Sequence, residues 1–487
     1  MRRIFVQLNN PSLLKQQSYI DGFWVDANDH STFAVINPAT GQTIAKVPNL
    51  SVEQVEQAVV SAHQAFTTWK TKTAKERSIL LRKWFDLIVE NQDDLAVILS
   101  TEQGKPFTES RGEIIYGASF IEWFAEEAKR IYGDIIPHDK QGRRLAVIKQ
   151  PIGVVAAITP WNFPNAMITR KVGPALAAGC TVVIKPASET PLSALALVAL
   201  AEQAGIPKGV INVVTGSARE IGEVLTTHPI VKKVSFTGST QVGKLLMAQC
   251  SSSMKKVSME LGGNAPFIVF DDADLDRAVE GAVASKFRNS GQTCVCTNRF
   301  LVHERIHDVF VEKFAAVVKK MKVASAFEDG AEQGPLINEK SVAKVEKHIS
   351  DAVAKGAQIV VGGKRHELGH TFFEPTILIN ATQEMLVAKE ETFAPLAPIF
   401  KFSSNEQAVE MANATEFGLA SYIYTESLSR VWKISEALEY GMVGVNEGLI
   451  STEVAPFGGI KESGTGREGS KYGIEDYLEI KYMCMGI

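Results

Sequence analysis

The sequence predicts an α/β protein built on a doubly wound parallel sheet. Short apolar runs of strand type alternate with segments of helical type between residues 154 and 270, about 20–30 residues apart. This alternation is typical of parallel sheets covered by helices on both faces. A comparable alternation between residues 300 and 450 indicates a second α/β domain. The length of 487 residues fits two to four domains at about 150 residues each.

The individual elements follow in chain order. Residues 51–130 have the pattern of long amphipathic helices, and Ser51 with Gln54 three residues later fits a capping box. Residues 144–153 look extended. Ser188 or Thr190, together with Pro191, is expected to start a helix that runs to about residue 204. Strands are predicted at 154–158, 181–184, 210–214, 231–236, 256–260 and 268–270, with helices from about 218 and 240.

Composition excludes several classes of protein. The 51 Lys and Arg residues nearly balance 55 Asp and Glu, and no run of five basic residues occurs, which argues against a dedicated electrostatic binder of nucleic acid. Five cysteines are too few for a disulfide framework. No apolar stretch approaches the roughly 18 residues of a membrane span. The basic segment Met1–Val6 lacks the apolar stretch of a secretory signal, so we expect a cytoplasmic protein.

Two strings resemble motifs of other enzymes. His303, Glu304 and His307 match H-E-x-x-H, the zinc-protease pattern, but residues 300–302 look like a strand and no third ligand is evident. A zinc hydrolase therefore remains a remote alternative, and we predict no metal site. Residues 238–245 nearly match a P-loop, but Leu245 stands where the metal-binding hydroxyl belongs. The turn at Gly238 and Ser239 is suited to a cofactor pyrophosphate, or it is simply a tight βα turn.

Three segments carry residues suited to catalysis. Cys294 ends a loop of small residues after an amphipathic helix, where a thiol is either exposed and reactive or an inert loop residue. Glu260 ends a buried strand shortly before two glycines, and its carboxylate is either a general base or a solvated charge. Asn162 lies between two prolines in PWNFP at 160–164, which otherwise reads as a rigid turn with a core tryptophan.

Together, these segments resemble the NAD(P)-dependent aldehyde dehydrogenase family over residues 19–483. The matching strings occur in the family's order and approximate spacing. They are PWNFP at 160–164, KP at 185–186, FTGST at 236–240, ELGG at 260–263, GQTC at 291–294, EETF at 390–393 and PFGG at 456–459.

The resemblance implies a mechanism. The thiolate of Cys294 would attack the aldehyde to form a thiohemiacetal, and Asn162 with the Cys294 backbone N–H would hold the oxyanion. Loss of hydride would leave a thioester, which water activated by Glu260 would hydrolyse. Glu260 also disfavours the coenzyme-A-acylating branch, where that carboxylate is generally absent. The implied cofactor-binding residues are Trp161, Lys185, Ser188, Gly238, Ser239, Leu261, Glu391 and Phe393.

Ser188 bears on the choice of cofactor. Many NAD-specific relatives carry Glu at this position, which binds both ribose hydroxyls, whereas serine leaves room for a 2′-phosphate beside Lys185. Glu189 should point to the opposite face if the segment is extended. We therefore predict that NADP is preferred and NAD is possible. The alternative is that Ser188 only caps the next helix.

Within the family, the chain most resembles succinate-semialdehyde dehydrogenases, which suggests a place in γ-aminobutyrate degradation. Arg170 and Arg288 match the carboxylate-binding arginines of that subfamily, and Ser451 matches their hydroxyl partner. Either arginine alone could be a surface charge at a helix end. Glutarate semialdehyde, one methylene longer, or another aliphatic aldehyde is the alternative substrate. Cys296 is a possible redox partner of Cys294, or simply a packed thiol.

The resemblance also implies the domain organisation. Residues 1–128 and 151–261 would form a Rossmann-type cofactor-binding domain, and 262–458 the catalytic domain. Residues 129–150 and 459–487 would serve oligomerisation, because the extended segment and the alternating tail around 477–482 would pair as strands across subunits. We therefore expect a homodimer or a dimer-of-dimers tetramer.

Overall fold

The computed structural model describes residues 8–487, so the segment Met1–Val6 lies outside the described residues. Fourteen α-helices occur in this part of the chain. They are α1 (Val52–Trp69), α2 (Ala74–Glu90), α3 (Gln92–Gln103), α4 (Phe107–Glu127), α5 (Ala166–Ala178), α6 (Leu192–Ala204), α7 (Ala218–Thr227), α8 (Thr240–Ser251), α9 (Leu275–Phe287), α10 (His307–Val318), α11 (Glu339–Ala354), α12 (Leu386–Lys389), α13 (Asn405–Asn413) and α14 (Leu428–Ala437).

The same residues contain 22 strands, many of them only two to five residues long. They are β1 (Ser18–Ile20), β2 (Phe23–Val25), β3 (Thr32–Ile36), β4 (Thr43–Pro48), β5 (Asp134–Ile136), β6 (Arg143–Pro151), β7 (Val154–Ile158), β8 (Thr181–Lys185), β9 (Ile211–Val213), β10 (Val231–Thr237), β11 (Lys256–Glu260), β12 (Ala265–Val269), β13 (Thr297–His303), β14 (Gln358–Val361), β15 (Thr376–Ile379), β16 (Leu396–Phe402), β17 (Phe417–Gly418), β18 (Ala420–Tyr424), β19 (Met442–Val445), β20 (Ile460–Lys461), β21 (Gly464–Thr465) and β22 (Leu478–Gly486).

The first large sheet has eight strands in the order β2-β1-β9-β8-β7-β10-β11-β21. Its five central strands, β9 to β11 in this order, are parallel. Both faces are buried, because successive residues of one strand enter different cores. In β8, Val182 packs with α2–α6, whereas Val183 packs with α1 and α7. The predicted doubly wound parallel sheet is therefore confirmed.

The second large sheet has seven strands in the order β14-β15-β16-β13-β12-β18-β19. All neighbours are parallel except β14 and β15. Its core contains several aromatic rings, among them Phe267 stacked on Tyr424 with ring centroids 4.7 Å apart. This sheet confirms the second α/β unit predicted from residues 300–450.

A third sheet joins the tail to the extended segment after α4. Its order is β22-β6-β5, and β22 pairs antiparallel with β6 from Leu478 opposite Pro151 to Gly486 opposite Arg143. We expected these two segments to pair with each other across subunits. That expectation is wrong, because β22 and β6 pair within one chain. The tail has the predicted strand pattern, but its partner is supplied by the chain itself.

Helix ends agree with the sequence signals in most places. Ser51 and Gln54 form the predicted capping box of α1. The start of α6 differs, because neither Ser188 nor Thr190 caps it. The helix begins at Leu192, and the carboxylate of Glu102 accepts hydrogen bonds from the N–H groups of Leu192 and Ser193, both at 2.8 Å. Among residues 8–487, no helix combines the length and apolar character needed to cross a membrane.

Candidate active site

The site lies where parallel strands of the first sheet end. Ile158 of β7 is paired with Lys185 of β8, and Thr237 of β10 is paired with Glu260 of β11. Because parallel strands carry their carboxyl ends to one edge, the segments that follow β7, β10 and β11 converge there. These segments supply Asn162, Gly238 with Ser239, and the ELGG turn that starts at Glu260.

The nucleophile loop reaches this edge from the second unit. After α9, Asn289, Ser290 and Gly291 all adopt positive φ angles, of 50°, 57° and 74°. Such a backbone is costly for residues with side chains, so the surroundings must hold it. The N–H of Asn289 donates to the carboxylate of Glu109 at 2.9 Å, and the hydroxyl of Ser290 donates to the Gly334 carbonyl at 2.9 Å. The loop therefore presents Cys294 in a fixed position.

The two units meet in a cavity of about 270 Å³. The ELGG turn packs directly on the nucleophile, since a Cβ on Gly263 would lie 2.4 Å from the Cys294 carbonyl oxygen. Eleven predicted site residues line this cavity. They are Trp161, Asn162, Arg170, Gly238, Ser239, Leu261, Arg288, Cys294, Glu391, Phe393 and Ser451.

The thiol and the candidate base are both poorly solvated. Burial raises the pKa of Cys294 to about 12, an effect that the charge of Arg170 opposes and that Glu391 and Glu260 reinforce. Glu260 is buried and is not among the residues that line the cavity, and neither of its carboxylate oxygens has a hydrogen-bond partner within residues 8–487. Burial, followed by repulsion from Glu468, raises the pKa of Glu260 well above the usual carboxyl range. A carboxylate with such a raised pKa is suited to accept a proton.

The side-chain amide of Asn162 is held at both its nitrogen and its oxygen. Its amide nitrogen donates to the Gln292 carbonyl at 3.0 Å, and its side-chain oxygen accepts from the N–H of Phe163 at 3.1 Å. The amide N–H₂ group therefore faces the nucleophile loop, two residues before Cys294. This is the arrangement needed to place a neutral donor beside an oxyanion formed at the thiol.

One end of the cavity is cationic. Arg170 is buried with its guanidinium 3.9 Å above the Phe457 ring, and it donates to the Tyr116 hydroxyl at 3.2 Å. Its Nε lies 2.7 Å from Glu468, which also pairs with Lys171. Burial alone would raise the pKa of Glu468, but Lys171 and Arg170 outweigh that effect and hold it below its ordinary value. Part of the Arg170 charge is therefore already neutralised.

Arg288 is the second arginine of the cavity, with its guanidinium 5.4 Å from the Phe163 ring. Ser451 lines the cavity with it, and so does Tyr116. The structure therefore brings the two predicted arginines and Ser451 to the cavity that holds Cys294. An anionic group would meet guanidinium, hydroxyl and phenol donors there.

A group bound at the other wall would meet the β10–α8 turn. Ser239 caps α8 by accepting from the N–H of Val242 at 3.4 Å, and the first turn of α8 presents N–H groups suited to a phosphate. Glu391 accepts from the N–H of Gly263 at 3.0 Å, and burial raises its pKa to about 7. A Cβ on Gly262 would lie 3.1 Å from the Glu391 carboxylate, so glycine keeps this wall open. These features fit a dinucleotide.

Two aromatic rings border the cavity beside this wall. Trp161 and Phe393 meet edge to face with ring centroids 5.6 Å apart. Phe393 adopts a positive φ of 58°, which is unusual for a bulky residue and indicates that its ring position is imposed by the surroundings. A flat heterocycle between this pair and Cys294 would be sheltered from water.

Lys185 and Ser188 lie outside this cavity. Lys185 is buried at the end of β8, and burial lowers its pKa to about 8. Ser188 lines a separate cavity together with Glu189. The prediction that Glu189 points away from Ser188 is wrong, because residues 188–189 form a bend rather than a strand, so the alternation of faces does not apply.

Cys296 is buried behind the nucleophile and is not bonded to it. Its thiol faces the carbonyl oxygen of Lys286, 3.5 Å away, and Cys294 and Cys296 are both free. Burial raises the pKa of Cys296. This geometry is that of a packed thiol in the reduced protein, and the redox pairing with Cys294 stays a prediction.

The H-E-x-x-H string does not form a helical pair. His303 ends β13, and α10 begins only at His307, whose Nδ1 lies 2.7 Å from Asp308. Within residues 8–487, no group of three or more His, Cys, Asp or Glu side chains is placed to hold a metal ion. The zinc hydrolase alternative therefore has no support from the structure.

Several site residues carried no sequence signal. Tyr116 faces the cavity from α4, where an aromatic residue looks like ordinary core. Glu468 neutralises Arg170 from a loop almost 300 residues away in the chain. Phe457 does lie in the recognised PFGG string, but its contact with Arg170 depends on the tertiary fold and was not predicted.

Comparison with known proteins agrees with this geometry. The model of the aldehyde dehydrogenase family matches residues 24–483. The chain is 64% identical over 481 residues to 3-sulfolactaldehyde dehydrogenase of Pseudomonas putida and 62% identical over 481 residues to glutarate-semialdehyde dehydrogenase of Pseudomonas aeruginosa. It is 60% identical over 482 residues to the NADP(+) succinate-semialdehyde dehydrogenase of Escherichia coli. These matches cover 99% of this chain and 99–100% of each relative.

A solved structure has the same fold. The crystal structure of succinate-semialdehyde dehydrogenase from Burkholderia pseudomallei superposes with a TM-score of 0.98 at 61% sequence identity. The match covers 99% of this chain and 100% of that one.

Proposed function

The chain belongs to the aldehyde dehydrogenase family, and we propose that it oxidises succinate semialdehyde to succinate with reduction of NADP. The observation that carries the proposal is one cavity that contains Cys294, Asn162 and two arginines. The thiol and the amide are suited to aldehyde oxidation, and the arginines to a carboxylate at the far end of the substrate. The relative from Escherichia coli, which is named for this substrate and for NADP(+), supports the same reading.

The substrate orientation follows from these charges. The carboxylate of succinate semialdehyde would lie against Arg170, Arg288 and Ser451, with the aldehyde carbon at Cys294 Sγ. Arg170 is immobilised between Phe457 and Glu468, so it has little side-chain entropy left to lose on binding. The arginines therefore orient the chain of the substrate as well as attract it.

The chain's own residues account for the first half-reaction. Cys294 Sγ would attack the aldehyde carbon, and the negative charge would move to the aldehyde oxygen. The Asn162 amide and the Cys294 backbone N–H would stabilise this oxyanion. The thiol must lose its proton first, and the raised pKa of Glu260 makes that carboxylate a suitable acceptor. The product is a thiohemiacetal on Cys294.

The wall formed by Gly238, Ser239, Leu261, Glu391 and Phe393 would hold the nicotinamide cofactor, together with Trp161. When bound, NADP accepts the hydride that leaves the thiohemiacetal carbon. Glu391 would bind the nicotinamide ribose, and the α8 N-terminus would face the pyrophosphate. Lys185 and Ser188 would meet the adenosine ribose, where serine tolerates a 2′-phosphate; NAD remains possible.

Glu260 would act again in the second half-reaction. Removal of hydride leaves a thioester between Cys294 and the succinyl group. Glu260 would first release the thiol proton to solvent and then take a proton from water, the water oxygen would attack the thioester carbon, and the Cys294 thiolate would leave. The two carboxylate oxygens of Glu260 have no hydrogen-bond partner within the described residues, so both are available to bind water. Lys171 and Arg170 keep a positive charge near this base.

Glutarate semialdehyde is the second candidate substrate. It would use the same arginines, and one methylene is worth only about 1–3 kcal/mol of discrimination. The relative from Pseudomonas aeruginosa is named for this substrate. The relative from Pseudomonas putida is named for 3-sulfolactaldehyde, which has a sulfonate at the opposite end from its aldehyde. That substrate also combines an aldehyde with an anionic group.

The proposal includes the organisation of the molecule. Residues 1–128 and 151–261 would form the cofactor-binding domain, 262–458 the catalytic domain, and 129–150 with 459–487 the oligomerisation segments. A dimer or a dimer-of-dimers tetramer is supported by the third sheet, on which Ile135 is 76% exposed and Ile480 is 69% exposed. The five cysteines are free, which supports a cytoplasmic location.

The test is a substrate panel that follows the absorbance of the reduced nicotinamide. Succinate semialdehyde, glutarate semialdehyde and butanal are each supplied with NADP⁺ or NAD⁺. The proposal predicts the highest kcat/KM for succinate semialdehyde with NADP⁺. Equal rates with butanal would be consistent with an aldehyde dehydrogenase but would refute the carboxylate-binding site. The control is Cys294→Ser, which should be inactive.

A further inference from the structure

A buried ion pair lies behind the site and takes no part in the chemistry described above. Lys105 follows Gly104, which caps the C-terminus of α3, and Glu113 lies on α4. The Lys105 ammonium is 2.5 Å from one Glu113 oxygen, and both side chains are almost completely buried. Burying two charges removes both from water, and this desolvation opposes their attraction. A pair at this place therefore needs a further explanation.

The Lys105 ammonium also holds the backbone of Asn162. It donates to the Asn162 carbonyl oxygen at 2.7 Å and lies 3.8 Å above the Phe163 ring. The same carbonyl oxygen accepts from the side chain of Asn289 at 2.9 Å. Two donors from different segments thus fix the peptide that carries the amide group of Asn162.

The second oxygen of Glu113 holds the other end of the same turn. It accepts from the N–H groups of Asn165 at 2.9 Å and Ala166 at 3.2 Å, where α5 begins. The side chain of Asn165 makes no capping hydrogen bond itself, so Glu113 supplies the cap from α4. Arg170 is the fifth residue of α5. The cap by Glu113 therefore also fixes the start of the helix that carries Arg170.

The segment around Lys105 connects to the nucleophile loop as well. Gln103 donates to the side chain of Asn289 at 3.0 Å, and its own oxygen accepts from the N–H of Lys105 at 2.9 Å. Asn289 is the first of the three residues with positive φ that precede Cys294. A single turn after α3 thus contacts both the Asn162 turn and the nucleophile loop.

We propose that Lys105 and Glu113 are positioning residues that hold the Asn162 amide at the place where the oxyanion forms. The inference rests on the proposed aldehyde oxidation and adds to it the residues that preorganise its oxyanion site. A donor misplaced by about 1 Å loses much of its value in the transition state, and this loss appears in kcat. Neither side chain lines the cavity, and both act through the backbone of the turn that contains Asn162.

The decisive experiment is a double-mutant cycle with Asn162. Lys105→Met is made in the wild-type enzyme and in Asn162→Ala, and the single-turnover rate of cofactor reduction is measured with succinate semialdehyde. A positioning role predicts a fall of about 10- to 100-fold in the wild-type background, with the KM for NADP⁺ unchanged. In Asn162→Ala, where no amide remains to be positioned, Lys105→Met should cost less than about threefold.

Equal losses in both backgrounds would overturn the inference, since a general loss of structure does not depend on the amide. Glu113→Gln tests the same point more mildly, because its amide oxygen still accepts from Asn165 and Ala166. If circular dichroism shows that Lys105→Met does not fold, Glu113→Gln replaces it in the double-mutant cycle. Lys313→Met is the matched control, because it removes an exposed ion pair with Asp276. A wild-type enzyme that oxidises no aldehyde would refute the proposed function, whereas an active one with equal losses refutes the positioning alone.

Discussion

Replacing Arg288 with glutamine removes one of the two guanidinium groups that line the cavity. Arg170 is paired with Glu468 at 2.7 Å, whereas among residues 8–487 Arg288 has no ion pair with a carboxylate. We therefore expect Arg288 to contribute the larger net attraction to a substrate carboxylate. A hydrogen bond to a charged group is worth about 1.5–3 kcal/mol, which corresponds to a loss of roughly 10- to 150-fold in kcat/KM.

The assay compares Arg288→Gln with wild type on succinate semialdehyde and on butanal. The carboxylated aldehyde should show the full loss, and butanal should change by less than about threefold, because it has no charge to bind. Arg277→Gln is the matched control, since it makes the same substitution at an exposed residue of α9. An equal loss on both aldehydes would refute the reasoning, because Arg288 would then support the loop rather than bind the substrate.

Three further predictions concern the cofactor, the second cysteine and pH. Ser188→Glu should lower kcat/KM for NADP⁺ by at least about tenfold and leave NAD⁺ little changed, because a carboxylate repels the 2′-phosphate; an unchanged ratio would contradict this. If Cys296 pairs with Cys294, activity lost to peroxide should recover with reductant in wild type but not in Cys296→Ala, and equal recovery would exclude that pairing. Burial raises the pKa of Glu260, so thioester hydrolysis should increase with pH well above the usual carboxyl range, and a rate independent of pH above about 5 would contradict that assignment.

The fold could be predicted from the sequence because strands and helices are marked by residues that are close together in the chain. The strand ending at Glu260 and the helix starting at Thr240 have the predicted positions, since apolar runs and glycine turns mark them directly. The start of α6 was missed because its cap is Glu102, about 90 residues earlier in the chain. The face of Glu189 was missed because a bend removes the alternation that a strand would impose.

The same division holds for the site. The strings around Asn162 and Cys294 identify the reactive groups, and both line one cavity. Their supports come from distant segments, as with Glu468 beside Arg170 and Lys105 beneath Asn162. A charged residue on an amphipathic helix or in a loop has no local sign that it will be buried beside a partner.

The proposed mechanism requires Cys294 to be the residue that is acylated and Glu260 to be the base that releases the product. Glu260→Gln, mixed with NADP⁺ and succinate semialdehyde, tests both at once when the digested protein is examined by mass spectrometry. We predict one equivalent of reduced cofactor, formed more slowly than in the first wild-type turnover because the thiol has lost its proton acceptor, and a succinyl group that remains on the peptide containing Cys294. Full steady-state turnover by Glu260→Gln, or a succinyl group on another residue, would contradict the account.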